Sequence, residues 1–329
     1  MLRSGSGFDK LRVVKDGLGE MFLYEKKNHK KDGHEYIAIT GFEGSIRKLV
    51  VPAEIEGIAV EEIGNHSFSG RDDIESVFFP ESIKTVYGFA FHNCKSLREI
   101  SVYDGIIDYY DGVLRQCDSL KRIDVAINNG RYEIIRNFLA DVDRTLSFRI
   151  KIREEDGSTD EALLTFPEFL YDFNENTMAR TIQFSIGGSG YAYRECVDRT
   201  FINFREYDKL FEKAIIDGSE ISESIALGRL LYPYKLEDIY REKYEEYVSA
   251  NFGSIFNRMI DESSESQEEL EYVGRLLDYR TKSDRALFLD GHIEEGIKRA
   301  TDAGKTLLCA VLVERSRKTD GGFEEFNLL

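Results

Sequence analysis

The sequence predicts an α/β solenoid with an N-terminal β-hairpin cap, joined to a small β segment and then to an all-α stack of helical hairpins. Three observations predict it: a 23-residue repeat between Ile63 and about Arg131, strict alternation from Thr145, and helical spacing from Phe204 onward. The expected domains are 1–140 for the cap and repeat array, 141–203 for a β-rich connecting segment, and 204–329 for a helical-repeat domain.

The repeat aligns Ile63-Gly64, Phe68, Ile74, Val77 and Phe79 with Val86-Tyr87, Phe91, Leu97, Ile100 and Val102, and then with Tyr109, Leu114, Leu120, Ile123 and Val125. Side chains alternate along an extended chain, so Val77 and Phe79 share one side and Phe78 takes the other. One short strand cannot bury such a row alone; Ile100-Ser101-Val102 and Ile123-Asp124-Val125 must lie beside it and merge their inward residues into one core. Between strands, Val86 to Cys94 needs a bend, placed at Gly88, and then a helical turn that buries Ala90 and Phe91.

A period of about 20 to 29 residues with this apolar spacing is that of leucine-rich repeats. Val50 to Gly64, followed by Ser67-Phe68-Ser69-Gly70, resembles the opening of the BspA-like bacterial leucine-rich repeat family. Pro80-Glu81-Ser82-Ile83, Ala90 to Leu97 and Cys117-Asp118-Ser119-Leu120 fit its running pattern of a strand ending in Pro, Ile-Gly, Ala-Phe, Cys and Ser-Leu. Met21 to Gly57 is similar to the hairpin that caps such arrays. The pattern is broken at Arg71, where the family carries Cys, and at Val113-Leu114, where Ala-Phe is expected; these departures suggest an array that decays after three turns. The resemblance spans about residues 21–131 and implies a fold much more than a role.

After Val125, Arg131 to Leu139 reads as a short helix with Ile134, Ile135, Phe138 and Leu139 on one face. Thr145 to Arg153, Ala162 to Phe166 and Thr181 to Ile186 read as strands that extend the sheet or form a small β layer joining the two halves, with Glu154 to Ser158 as a hairpin turn. Helices are expected at Tyr207–Ile216, Ser219–Leu231, Leu236–Ala250, Ser254–Ile260, Gln267–Leu277, Ile293–Ala303 and Lys305–Arg315. Tyr240, Tyr244 and Tyr247 fall on one helical face and read as core. The last two helices resemble the antiparallel pair of an ankyrin-type unit.

With a formal charge of −17, the chain is a poor ligand for nucleic acid or anionic membrane, both of which need cationic neutralisation, and basic or neutral protein partners are favoured. No apolar stretch approaches the roughly 20 residues that span a bilayer, and Met1 to Asp9 holds no leader-like run. The expected location is the cytoplasm, or the cell surface if a leader has been removed. Four cysteines are too few for a disulfide framework; Cys94 and Cys117, one period apart, read as buried thiols in equivalent places.

No catalytic, cofactor-binding or metal-ligating constellation emerges. Gly304-Lys305-Thr306 ends like a phosphate-binding loop, but Arg299 stands where its first glycine must be. Gly187-Gly188-Ser189-Gly190 lacks the third glycine of a dinucleotide fingerprint, Tyr193 standing there instead. His29, His34, His66, His92 and His292 lack the helical His-Glu-x-x-His spacing, and Asp156-Gly157 fails the calcium-loop pattern at Leu163.

What remains is surface. The outward residues of the repeat strands, Glu75, Ser76, Phe78, Arg98, Glu99, Ser101, Lys121, Arg122 and Asp124, form a ladder, and Phe78 is its one aromatic. Phe78 is either an anchor for a partner or is covered from within the protein. The expected function is a non-catalytic protein–protein interaction or scaffold module without a cofactor. The alternatives are an exported adhesin of the BspA-like type and an enzyme with an unrecognised site between Thr145 and Cys196.

Overall fold

The computed structural model describes residues 12–15, 21–176 and 181–320, so Met1 to Asp9, read above for a leader, lie outside the described residues. The chain divides into two compact units, 1–217 and 218–329.

The first unit opens with β1 (Arg12–Lys15), β2 (Met21–Asn28) and β3 (Glu35–Glu43). The short strands of the coils follow: β4 (Lys48–Val50), β5 (Glu54–Ile55), β6 (Ile58–Ile63), β7 (Ser76–Phe78), β8 (Thr85–Val86), β9 (Glu99–Tyr103), β10 (Asp108–Tyr109) and β11 (Arg122–Ile127). Helix α1 (Glu133–Asp141), β12 (Leu146–Arg153), β13 (Thr159–Phe166), β14 (Leu170–Asn176) and β15 (Thr181–Gly187) come next, and α2 (Gly190–Arg194), α3 (Phe204–Lys209) and α4 (Phe211–Asp217) end the unit.

These strands wind a β-solenoid of about five turns with two walls. One wall has the order β1-β2-β3-β6-β8-β10, with β5 attached to β6; the other runs β13-β12-β11-β9-β7-β4. The coil-to-coil pairing is parallel and keeps the repeat: Ile63 lies beside Val86 and Val86 beside Tyr109, while Val77, Ile100 and Ile123 form one row. That row continues to Leu49 on one side and Phe148 on the other, so the array outlasts the three turns expected from its sequence. All five of these residues are buried, and each fully buried aliphatic or Phe side chain contributes about 1.5–3 kcal/mol. Inside the coils the rings of Phe68 and Phe91 stack with centroids 5.0 Å apart.

The bend between strands differs from expectation. Phe89 (φ 58°) and Asn93 (φ 60°), not Gly88, take the left-handed conformation. Gly88 is required for closeness instead, since a Cβ there would lie 3.1 Å from Asp111 O in the next coil. Ala90 and Phe91 are buried as expected, in a turn rather than a helix.

The departures from the repeat have visible uses. Cys94 and Cys117 are free thiols whose Sγ atoms donate to Phe68 O and Phe91 O of the preceding coil, at 3.1 and 3.0 Å. At the same repeat position Arg71 donates to Phe42 O and Gly44 O, and clasps Asp73 through Nε and Nη2 at 2.8 and 2.7 Å. The guanidinium thus reaches carbonyls of a first coil that departs from the repeat. Val113 and Leu114 are buried where Ala90 and Phe91 sit one coil earlier.

At the far end Asp104, almost fully buried, accepts from the backbone N–H groups of Asn128, Asn129 and Arg131 and so closes the turn after β11. Helix α1 buries Ile134, Ile135, Phe138 and Leu139, and its Asp141 accepts from Tyr109 O–H, Gly112 N–H and Leu114 N–H. The β segment is continuous with the solenoid, because β12 pairs in parallel with β11 and antiparallel with β13. Tyr207 of α3 places its hydroxyl 2.9 Å from Thr165 N and 2.6 Å from Thr165 O, satisfying backbone groups on the edge of β13. The sequence predicts one helix over Tyr207–Ile216; the structure breaks it at Leu210 into α3 and α4.

The second unit contains α5 (Ser219–Leu231), α6 (Asp238–Glu262), α7 (Gln267–Asp278), α8 (Asp290–Asp302) and α9 (Thr306–Asp320). The two helices expected between Leu236 and Ile260 are one: Gly253 does not break α6 but admits the His292 ring, whose Nε2 lies 3.7 Å from where a Cβ would stand. Tyr240 and Tyr244 are buried, and Tyr247 shares a 2.6 Å hydrogen bond with Ser222, as a core face requires. Helices α8 and α9 pack as a pair around Gly304 (φ 71°), with Lys305 Nζ 2.5 Å from Ser263 O.

Candidate interaction surface

The outer face of the wall β13-β12-β11-β9-β7-β4 brings the predicted ladder together. Parallel pairing at fixed register sets Ser76, Glu99 and Arg122 in one row and Phe78, Ser101 and Asp124 in a second. Glu75, Arg98 and Lys121 form a third, in which Arg98 N–H donates to Glu75 O at 2.8 Å and Lys121 N–H to Arg98 O at 3.0 Å in the preceding coil. Burial alternates along β9 and β11, half-buried outside and buried inside, which proves the sidedness inferred from the alternation.

The ladder is less open than its sequence suggests. Ser76 is buried, and Phe78 is half-buried with Lys48 Nζ 4.6 Å from its ring centre. Arg47 clamps Glu75 through both Nη2–oxygen contacts, at 2.7 and 2.8 Å. Arg122 lies 3.1 Å from Glu99 and 3.3 Å from Asp124, forming a charged cluster across neighbouring strands. Arg98 and Lys121 are exposed. On this face Arg47, Lys48, Arg98, Lys121, Arg122, Arg149, Lys151 and Arg153 outnumber Glu75, Glu99, Asp124 and Glu161, so its local sign is opposite to that of the whole chain.

Elsewhere the polar groups mostly build structure. The Gly187 to Gly190 bend sits tightly against the chain after β13: a Cβ on Gly190 would collide with Pro167 O and Glu168 O. Arg194 of α2 is buried and donates to five carbonyls, those of Leu139, Val142, Arg144, Pro167 and Gly190. Burial draws its pKa down to about 10, which still leaves it charged at neutral pH. His66 stacks on Phe89 at 5.1 Å and His92 meets the same ring edge-on, so both repeat-turn histidines pack against an aromatic. In the second unit a cleft of about 620 Å³ lies between α6 and residues 281–289, lined by Glu242, Glu245, Glu246, Lys282 and Arg285 among others. Tyr279 O–H donates to Glu245 there at 2.7 Å.

One grouping was missed from sequence. His29, Asp32 and His34 meet in the turn between β2 and β3, and Glu61 of β6 approaches His34 from the other side. Glu61 and then Asp32 hold the His34 imidazole above its ordinary pKa, and His34 in turn lowers that of Asp32. The sequence signal is His29-x-x-Asp32-Gly33-His34, a hairpin spacing rather than the helical His-Glu-x-x-His one.

A family model described as the BspA type leucine rich repeat region, in six copies, matches residues 42–146. Among solved structures, a leucine rich cell surface protein from Faecalibacterium prausnitzii is 19% identical, with 37% of this chain and 38% of that one covered and a TM-score of 0.28. A leucine rich repeat protein of T. pallidum is 18% identical over 31% of this chain and 68% of that one, with a TM-score of 0.22. A leucine-rich repeat protein from Bacteroides ovatus is 14% identical over 32% and 47% of the two chains, with a TM-score of 0.19. No curated protein matches the sequence. Residues 42–146, about a third of the chain and wound into parallel coils at the spacing their sequence repeats, are similar to the BspA-type leucine-rich repeat region.

Proposed function

We propose that this protein is a non-catalytic protein-interaction module, and that the outer face carrying Glu75, Phe78, Arg98, Glu99, Ser101, Lys121, Arg122 and Asp124 contacts the partner. The family match supports the coarser reading of an interaction or adhesin-like module. The observation that carries the finer one is charge: a chain of formal charge −17 gathers a surplus of Arg and Lys on one rigid sheet face. Complementary potentials steer association and select partners, so the partner surface is acidic rather than basic. This revises the expectation drawn from net charge alone, because a partner meets the face and not the sum. Among the described residues of the β segment Phe148, Phe166 and Tyr193 are buried, which supports a binding role over an enzyme there.

The test is affinity capture from the source cell with the wild-type chain, Phe78→Asp, and the double variant Arg98→Glu/Lys121→Glu. Arg98 and Lys121 are exposed, so the double variant reverses charge without touching the core. The proposal expects a partner whose recovery falls at least tenfold with both variants and weakens with salt. Unchanged recovery of every partner refutes the site. Among the described residues no helix is long and apolar enough to cross a membrane. Location in the cytoplasm is part of the proposal, and the exported adhesin is its rival; labelling of intact cells that reaches the protein would favour the rival.

A further inference from the structure

The turn between β2 and β3 holds two imidazoles and a carboxylate in a small space. His29 N–H donates to His34 O at 2.8 Å and Gly33 N–H to His29 O at 2.9 Å, with Gly33 in the left-handed region at φ 75°. This pairing sets His29 and His34 opposite each other, their rings stacked with centroids 4.9 Å apart. Asp32 sits between them: its Oδ1 is 3.1 Å from His29 Nδ1 and 2.7 Å from His34 Nδ1, and it also accepts from His34 N–H at 3.3 Å. From the neighbouring strand β6, Glu61 Oε2 lies 3.2 Å from the opposite ring nitrogen, His34 Nε2.

We propose that His29 Nδ1, Asp32 Oδ1 and His34 Nδ1 form a binding site for a divalent transition-metal ion of the Zn²⁺ type, with Glu61 as the carboxylate that orients His34 through Nε2. The three donor atoms lie within 4.8 Å of one another. Tetrahedral coordination at the usual bond lengths of about 2.0–2.2 Å separates ligand atoms by about 3.3 Å, so two of the three edges need to change by only a few tenths of an ångström. Two imidazoles and one carboxylate suit Zn²⁺, whereas Mg²⁺ and Ca²⁺ require all-oxygen shells. A ligating histidine almost always donates its other N–H to a carboxylate, a backbone carbonyl or water, which fixes ring and tautomer, and Glu61 is placed to accept it. The fourth position faces solvent, since Asp32 and His34 are exposed and His29 is half-exposed, and Lys30 and Lys31 beside the turn temper the affinity. Bound metal would tie the hairpin turn to β6 through His34 and Glu61.

Isothermal titration calorimetry of the tag-free full chain with ZnCl₂, MgCl₂ and CaCl₂ tests this, using wild type, His34→Ala, Asp32→Ala and Glu61→Ala. The turn is exposed, and circular dichroism establishes that each variant keeps its fold. The proposal expects one equivalent of Zn²⁺ to be lost in His34→Ala and in Asp32→Ala. Glu61→Ala should retain the site with affinity about 10- to 100-fold lower. Wild-type Zn²⁺ stoichiometry and affinity in His34→Ala would overturn it, as would Mg²⁺ or Ca²⁺ binding at this turn as tightly as Zn²⁺.

Discussion

Replacing Arg194 by Met should destabilise the first unit more than any comparable surface change. The guanidinium is buried and bonds to the carbonyls of Leu139, Val142, Arg144, Pro167 and Gly190, while its plane lies 4.8 Å from the Phe169 ring centre. It thereby joins the end of α1, the approach to β12, the exit of β13 and its own helix. A hydrogen bond to a charged group contributes about 1.5–3 kcal/mol, so five give roughly 7–15 kcal/mol before costs. Burying the cation costs several kcal/mol, and Met regains that term along with part of the packing. The expected net loss is about 3–5 kcal/mol. In a unit of this size each kcal/mol moves the melting midpoint by roughly 2–4 °C, so a fall of about 6–20 °C should follow. Thermal melting by circular dichroism, with urea unfolding in parallel, reads it; a separate transition of the second unit serves as the internal control. Arg194→Lys should rescue less than half, because one ammonium cannot reach carbonyls spread over four segments. A loss below about 1 kcal/mol would show that those carbonyls find partners without the guanidinium, and the account of this junction would fail.

Two further outcomes follow from the coils and the cysteines. Arg71 clasps Asp73, which also accepts from Ile46 N–H, and these contacts hold the Asp73 carboxyl well below its ordinary value of 3.8. A depressed folded-state pKa adds stability that is complete above the unfolded value and is lost as pH falls towards the folded one. Wild type should therefore lose more stability than Arg71→Leu between about pH 5 and about pH 3; parallel urea-midpoint curves would refute the pairing. Among the four cysteines, Cys94, Cys117 and Cys196 are buried, and burial raises the Cys196 thiol to about 12, whereas Cys309 is half-exposed. Thiol titration of the native chain should find one fast group, abolished by Cys309→Ser, and four after denaturation; a second fast thiol would contradict the buried coil positions.

The coils were legible because each repeat position has the same environment one period away. Val77, Ile100 and Ile123 needed only alternation and a constant spacing to be assigned to one row, and the outward set around Arg98 and Glu99 followed from them. Helix α1 and the tyrosine face of α6 were legible for a similar reason, since a helical stripe is a local pattern. Legibility ended where a residue's purpose lay in a distant segment. The gap expected between Ala250 and Ser254 reads as a break until the His292 ring is seen against Gly253, and Arg71 reads as a lapse in the repeat until its carbonyl partners are known. Arg194 carried no signal at all, because its five acceptors are backbone atoms whose sequence identity is irrelevant.

By itself the sequence determined that this protein is a leucine-rich solenoid followed by helices, and which side chains of the repeat strands face outward. Period and alternation are properties of neighbours along the chain, and they survive without coordinates. Only the tertiary structure decided that β12 extends the sheet rather than forming a separate layer, that the outward face carries the charge opposite to the chain, and that His29, Asp32, His34 and Glu61 converge. Those facts depend on which segments touch, and contact between segments is set by how the whole core closes.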